Sequence, residues 1–366
     1  MLGGDVEAID KLCTFMFVGF LGSLSDVVGR KPMMAYSALG FALTCFLQAS
    51  TKSSLSLLYV ADLVDGVSSC MNTICQAYVA DASPPERRAI NLGLFQGVSV
   101  AGAFIIGIPL SAILSAQYGL RAPLYLASAV GVLNFCIIVL FTPESLPAEE
   151  RAHAKLDMAA ANPFGALRRL FGSTPLLRGS AAAFFLVWLA NTCMNSQFGN
   201  LVNHLFNWGP QESAPIGVLA GVMFALAPRA LVPRLGLRAS IVVGALIYTA
   251  GLLGTGLART PLPLVASSLF SSIGCICTVS LVAFIANQAD PSERGALLGA
   301  LETLQEGCEA LGHSGYGRLF AYAISDAAPL RLPGAPFVAA AAFMLGALGI
   351  FQRTVGSNLA AAHAFF

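Results

Sequence analysis

Apolar residues in this chain come in long runs, separated by short polar stretches that hold Gly, Pro and charge. Leu12 to Leu24 is one such run, and Met33 to Leu47 is the next. With their flanks, both are roughly as long as a helix that crosses a bilayer. The pattern predicts eleven spans, near 10–25, 32–49, 54–80, 89–116, 123–141, 179–203, 214–228, 240–257, 263–287, 295–324 and 335–352. Pro, Gly or charge bounds most of them, as helix ends require. The expected fold class is an all-α polytopic membrane protein.

Composition sharpens this picture. Of 366 residues, 56% are hydrophobic and 11% charged, against about 25% charged in a soluble domain. The net charge is +1 and no basic cluster stands out, so nucleic acid is not an expected partner. Nine Cys are scattered through apolar runs, and Cys275-Ile276-Cys277 is too isolated to hold a metal. No metal or cofactor is expected. The four His are dispersed and no Ser-His-Asp or Cys-His arrangement is legible, which argues against an enzyme. No signal peptide is expected before Leu12, because Met1 to Lys11 is short and carries acidic residues.

The stretch Gly22-Ser23-Leu24-Ser25-Asp26-Val27-Val28-Gly29-Arg30-Lys31-Pro32 joins the first two spans. Such a short loop must turn at once, and Gly29 can take positive φ. Asp26 is a carboxylate at the end of a membrane helix and needs a partner there. An internal repeat runs at an offset of 207 residues: Gly29 aligns with Gly236, and Glu86-Arg87 with Glu293-Arg294. The second copy of the loop has Pro233 in place of Asp26. Of the 20 Lys and Arg, only Lys11, Lys52, Arg121, Arg259, Arg318 and Arg331 fall on one expected side. The other side, with the loops at Arg30–Lys31 and Arg87–Arg88 and the polar segment Thr142–Arg178, is expected to be cytosolic.

The loop pattern G-x-L-S-D-x-x-G-R-K resembles the signature of the major facilitator superfamily, between its second and third transmembrane helices. Gly22, Asp26, Gly29, Arg30 and Lys31 fall on signature positions. Ala77-Tyr78-Val79-Ala80-Asp81, Pro143-Glu144-Ser145-Leu146-Pro147 and Asn162-Pro163-Phe164-Gly165 resemble the hippocampus-abundant-transcript type, itself similar to tetracycline/proton antiporters. The resemblance implies two pseudo-symmetric bundles of six helices, the first lacking its first helix, so that about eleven remain. It implies secondary transport by alternating access. It also implies that Arg30 pairs with Asp81 or Glu86, in a conformational latch that includes Arg87. The fourth helix of the superfamily, here the third span, departs from the drug/proton pattern, because Asp62 rather than Arg stands four residues before Gly66.

Polar stripes mark candidate solute or proton sites. Asp62, Asp65, Ser69, Asn72 and Gln76 line one face of the third span, and Trp188, Asn191, Thr192 and Asn195 one face of the sixth. Ser268, Ser271, Cys275 and Thr278 form a weaker stripe in the ninth, where helix–helix hydrogen bonding is the favoured reading. Asp62 and Asp65 are expected to find no Lys or Arg inside a span, which makes them candidates for proton loading or for meeting a cationic solute. In the tenth span Glu302, Glu306, Glu309 and His313 recur at steps of four, three and four. They fall within a sector roughly 60° wide and are expected to form a ladder of proton acceptors. The competing readings there are an amphipathic surface helix, or a column in which only Glu302 lies deep.

The expected organisation is a truncated transmembrane bundle over 1–146, a central cytosolic linker over 147–178, a second bundle over 179–353 and a tail over 354–366. The expected function is movement of a small organic solute across a lipid bilayer, with protons as a candidate coupling ion. The alternative is a non-transporting sensor or a degraded paralogue, for which the absent first helix argues.

Overall fold

The computed structural model describes residues 2–51, 55–83, 91, 95, 98–99, 102–153, 162–172, 174–288, 294–329 and 331–358. Among them every regular element is helical. In chain order these are α1 (Leu2–Val28), α2 (Arg30–Ser50), α3 (Leu55–Ser68), α4 (Met71–Asp81), a π-helical stretch (Gly102–Gly107), α5 (Ile108–Tyr118) and α6 (Ala122–Phe141). They continue with α7 (Ala148–His153), α8 (Pro163–Gly172), α9 (Pro175–Phe206), α10 (Pro210–Leu257), α11 (Pro261–Gly274), α12 (Ile276–Ala286), α13 (Arg294–Ile324) and α14 (Ala335–Ser357). Seven helical stretches among the described residues are long and apolar enough to cross a membrane, and the Ile105–Tyr118 stretch is shorter.

Helix starts follow from local chemistry. Thr174 accepts a hydrogen bond from the Leu177 backbone N–H at 3.2 Å, and Pro175 follows it at the start of α9. Glu212 reaches back to the Gly209 N–H at 2.8 Å to open α10. Asn207 closes α9 in the left-handed conformation, with φ 54°.

Four expected spans differ in form. The third, 54–80, is broken into α3 and α4. The Ser37 hydroxyl donates to the Ser68 carbonyl at 2.6 Å and accepts from the Cys70 N–H at 3.4 Å, so a side chain enters the backbone ladder. The ninth breaks at Cys275, between α11 and α12. The seventh and eighth run together as α10, which turns at Gly236 with φ 77°. Gly29, its partner at the 207-residue offset, also takes positive φ, at 116°.

The chain divides into two compact units, one of Ile9–Gly102 with Leu110–Ala166, the other of Met1–Ala8, Ala103–Pro109 and Leu167–Phe366. In the first, α2 packs against α3, α4 and α6. Its core gathers Leu21, Met33, Met34, Ala38, Ile74 and Ile138. In the second, α9 packs on α12, α13 and α14, while α10 packs on α11, α12 and α14. Small residues let α10 approach its neighbours at backbone distance. A Cβ on Gly251 would lie 2.6 Å from the Ser271 N, and one on Gly274 would lie 2.6 Å from the Tyr248 N. Ser268 and Ser271 are buried there with hydroxyls bonded back to their own helix, a packing arrangement.

Candidate functional site

Arg30 opens α2 directly after the left-handed Gly29 and is only 8% exposed. A buried guanidinium needs several acceptors. Its Nε lies 3.0 Å from Asp81 Oδ2 at the end of α4, and its Nη1 lies 2.6 Å from Asp26 Oδ1, one turn back on α1. Nη1 also donates to Ser25 Oγ, whose hydroxyl bonds the Gly22 carbonyl at 2.6 Å. Of the two acids expected to meet Arg30, Asp81 does so. Glu86 and Arg87 lie outside the described residues.

Glu144, just beyond α6, completes this cluster. Its Oε1 accepts from the Arg30 N–H at 2.9 Å and its Oε2 from the Lys31 N–H at 3.1 Å. A carboxylate 114 residues away in sequence thus caps the N-terminus of α2, where Gly29 has no side chain to do so. The Ser145 N–H donates to the same carboxylate at 3.0 Å, and the Ser145 hydroxyl donates to Asp81 Oδ2 at 3.3 Å. Arg151 Nη1 donates to the Val28 carbonyl at 3.4 Å, at the C-terminal end of α1. A Cβ on Gly29 would press on Glu144 Oε2 and stand 3.3 Å from Arg151 Nη1, so Gly29 is held by space as well as by φ. Nothing in the local sequence around Pro143–Pro147 gives Glu144 or Arg151 a role. The one available signal was an acid placed directly after the fifth predicted span.

The acids of the third span sit on α3. Asp62 is 6% exposed and accepts from Gln48 Nε2 at 3.1 Å. Asp65 is half-buried, faces the Thr44 hydroxyl of α2 and lies within electrostatic reach of Lys11. For Asp65, that corrects the expectation that no Lys or Arg inside a span meets these acids. Lys11 lies in the apolar stretch Ala8–Val28 of α1, and α1 closes on α3 at Gly66, where a Cβ would be 2.7 Å from the Asp10 carbonyl oxygen.

In the second unit the structure joins two sequence stripes. Trp188 Nε1 on α9 donates to Glu309 Oε1 on α13 at 3.0 Å, and Gln305 Nε2 donates to the same oxygen at 3.4 Å. Phe184 stacks on Trp188 with ring centroids 5.7 Å apart. The Tyr248 hydroxyl of α10 donates to Asn191 Oδ1 at 2.8 Å, and the Tyr316 hydroxyl donates to the Leu189 carbonyl at 3.0 Å. Glu302, Glu306, Glu309 and His313 are all half-buried, whereas Leu298, Leu311 and Tyr322 of the same helix are exposed. Asn195 is exposed. Tyr248, Tyr316 and Gln305 escaped the sequence reading, because an isolated Tyr or Gln in an apolar run carries no periodic signal.

Comparison with known proteins shows the family of the chain. The profile of the Major Facilitator Superfamily matches residues 12–313. A hippocampus abundant transcript-like protein 1 of Bos taurus is 24% identical over 327 residues, 87% of this chain and 64% of that protein. The chain therefore spans under two-thirds of that relative's length. The class C tetracycline resistance protein of Escherichia coli is 25% identical over 305 residues, covering 82% of this chain and 75% of its own. The crystal structure of the human organic anion transporter MFSD10 superposes with a TM-score of 0.70 at 21% identity, covering 96% of this chain and 83% of that one. From its profile match, its helices long enough to cross a bilayer and this structural likeness, the chain belongs to the Major Facilitator Superfamily and is an integral, multi-pass membrane protein of a transporter family.

Proposed function

We propose that this protein is a secondary active transporter that moves a small organic solute by alternating access and couples that movement to protons. The observation that carries the proposal is the Glu309 carboxylate, held by the Trp188 indole and Gln305 at the contact of α9 with α13 rather than on the face that exposes Leu298, Leu311 and Tyr322. A carboxylate kept inside a membrane helix pair is costly as structure and is the usual seat of proton or solute handling. Glu302, Glu306 and His313 extend the site along α13, and Trp188 with Asn191 offers it an aromatic and a carboxamide surface. Asp62 and Asp65 provide a second acidic position, with Lys11 within electrostatic reach of Asp65. Arg30, Asp26, Asp81 and Glu144 form the latch that closes one conformation. We further propose two pseudo-symmetric bundles, with the linker on the cytosolic side.

The test is uptake by the purified full chain in proteoliposomes, over a panel of small organic solutes and under an imposed pH gradient. The proposal expects at least one solute to accumulate, and accumulation to vanish with a protonophore. Accumulation that ignores the protonophore removes the coupling. A panel that never exceeds empty liposomes removes the transport reading.

A further inference from the structure

The 48 residues of α10 turn at Gly236, which takes φ 77°. The limbs before and after it run about 39 Å and about 32 Å at 1.5 Å per residue. Each is long enough to cross a hydrocarbon core of about 30 Å, so the turn stands at a bilayer surface. At the offset of 207 residues it matches the turn at Gly29, where φ is 116°. Both glycines precede a helix N-terminus, whose first N–H groups lack intrahelical partners and favour an anion. The two turns differ in what covers them. In the first copy the Glu144 carboxylate accepts from the Arg30 and Lys31 N–H groups at 2.9 and 3.1 Å, and a Cβ on Gly29 would press on Glu144 Oε2. In the second, nothing among the described residues stands within 4 Å of a Cβ on Gly236. Asp26, which pairs with Arg30 in the first copy, gives way to Pro233. The stretch from Ala227 to Ser240 carries Arg229, Arg234 and Arg238, all exposed, and no Asp or Glu. The second turn keeps the anion-seeking backbone of the first and adds cations, but carries no carboxylate of its own.

We propose that the turn at Gly236 binds the phosphate of an anionic phospholipid headgroup, which takes the place that the Glu144 carboxylate has in the first copy. The planar fork of Arg suits phosphate oxygens. A zwitterionic headgroup also carries a phosphate, but Arg229, Arg234 and Arg238 repel its own cation. Leu226 and Leu235, 54% and 40% exposed, stand beside those cations and give an acyl chain an apolar flank that a free phosphate would leave bare. Near an anionic leaflet each Arg strengthens binding on the order of fivefold. The site lies wholly within the second unit and is independent of which solute is moved.

Native mass spectrometry of the full chain released from detergent micelles tests this, with dioleoylphosphatidylserine and dioleoylphosphatidylcholine as the two probes. The first phosphatidylserine is expected to bind at least tenfold tighter than the first phosphatidylcholine. Replacing Arg229, Arg234 and Arg238 together by Gln is expected to bring that ratio within threefold. The control removes equal charge from the same unit by replacing the exposed Arg168, Arg178 and Arg353 with Gln, and is expected to keep most of the preference. Pro233→Asp returns the acid of the first copy to the second turn. It is expected to lower the ratio at least threefold, and it serves as the test if the triple variant misfolds. Glycerophosphoserine, the headgroup without acyl chains, is expected not to displace the lipid at a hundredfold excess. Displacement would overturn the lipid assignment in favour of a soluble phosphate ester. Equal affinity for the two lipids, or a preference that survives in the folded variants of the turn, would overturn the proposal. So would an equal loss in the control, which would assign the preference to net charge alone.

Discussion

Glu144→Ala removes the acceptor that holds the first two backbone N–H groups of α2. Those bonds measure 2.9 Å to Arg30 and 3.1 Å to Lys31. Losing a helix cap costs about 1 kcal/mol, and hydrogen bonds to an ionised group run about 1.5–3 kcal/mol each. Glu144 is half-buried, so water replaces part of what is lost. About 2 kcal/mol for the pair is a fair figure, equivalent to about 30-fold in the local opening equilibrium. Hydrogen–deuterium exchange on the peptide spanning the α1–α2 loop reads this directly. The Arg30 and Lys31 amides should exchange about 30-fold faster, while amides in the middle of α2 stay protected. Glu144→Gln keeps one carbonyl acceptor and should fall between the two. Exchange at Arg30 and Lys31 within twofold of the unaltered protein would refute the capping argument, as would uniform loss of protection along α2.

Three further outcomes follow from the same geometry. Asp26→Asn breaks the 2.6 Å pair with Arg30, but Asp26 is 52% exposed, so the shift in conformational balance should be modest, about two- to fivefold. Transport should fall with membrane insertion intact; unchanged transport and unchanged thiol accessibility on the loop side would remove the latch. Asp65→Asn should flatten the pH dependence of uptake, with Lys11, Asp62 and Cys45 remaining as its charged and titratable neighbours; a profile that keeps its full slope would make Asp65 structural. Gly251→Leu drives a side chain into the Ser271 backbone, 2.6 Å from where its Cβ would stand. Overpacking of that kind costs about 1–3 kcal/mol, so thermal unfolding in detergent should move to lower temperature, and an unshifted transition would contradict the close α10–α11 packing.

The loop chemistry was legible because its residues are neighbours in sequence. Gly29, Arg30 and Asp26 announce a tight, charged turn, and the structure places them together. Glu144 was not legible, since nothing local says that a carboxylate after α6 will find amide groups 114 residues earlier. Separation in sequence also hid Lys11 from Asp65: Lys11 borders the apolar run that starts at Leu12, and hydropathy cannot show that α1 closes on α3 at Gly66. Helical periodicity located the polar face of the third span but missed its break, which is made by the Ser37 hydroxyl of another helix. On α13 the spacing of the acids was readable, yet only the packed structure shows Trp188 meeting Glu309 in particular.

The most direct test of the central claim, that a carboxylate on α13 carries the proton, compares two modes of transport in Glu309→Gln. Glutamine keeps a carbonyl oxygen for the Trp188 and Gln305 donors, which now meet at 3.0 and 3.4 Å, but it cannot take up and release a proton. In proteoliposomes, accumulation driven by a pH gradient should fall at least tenfold, while solute exchange at equal pH stays within threefold of the unaltered protein. Loss of both modes together in inserted, folded protein, or retention of both, would contradict the account.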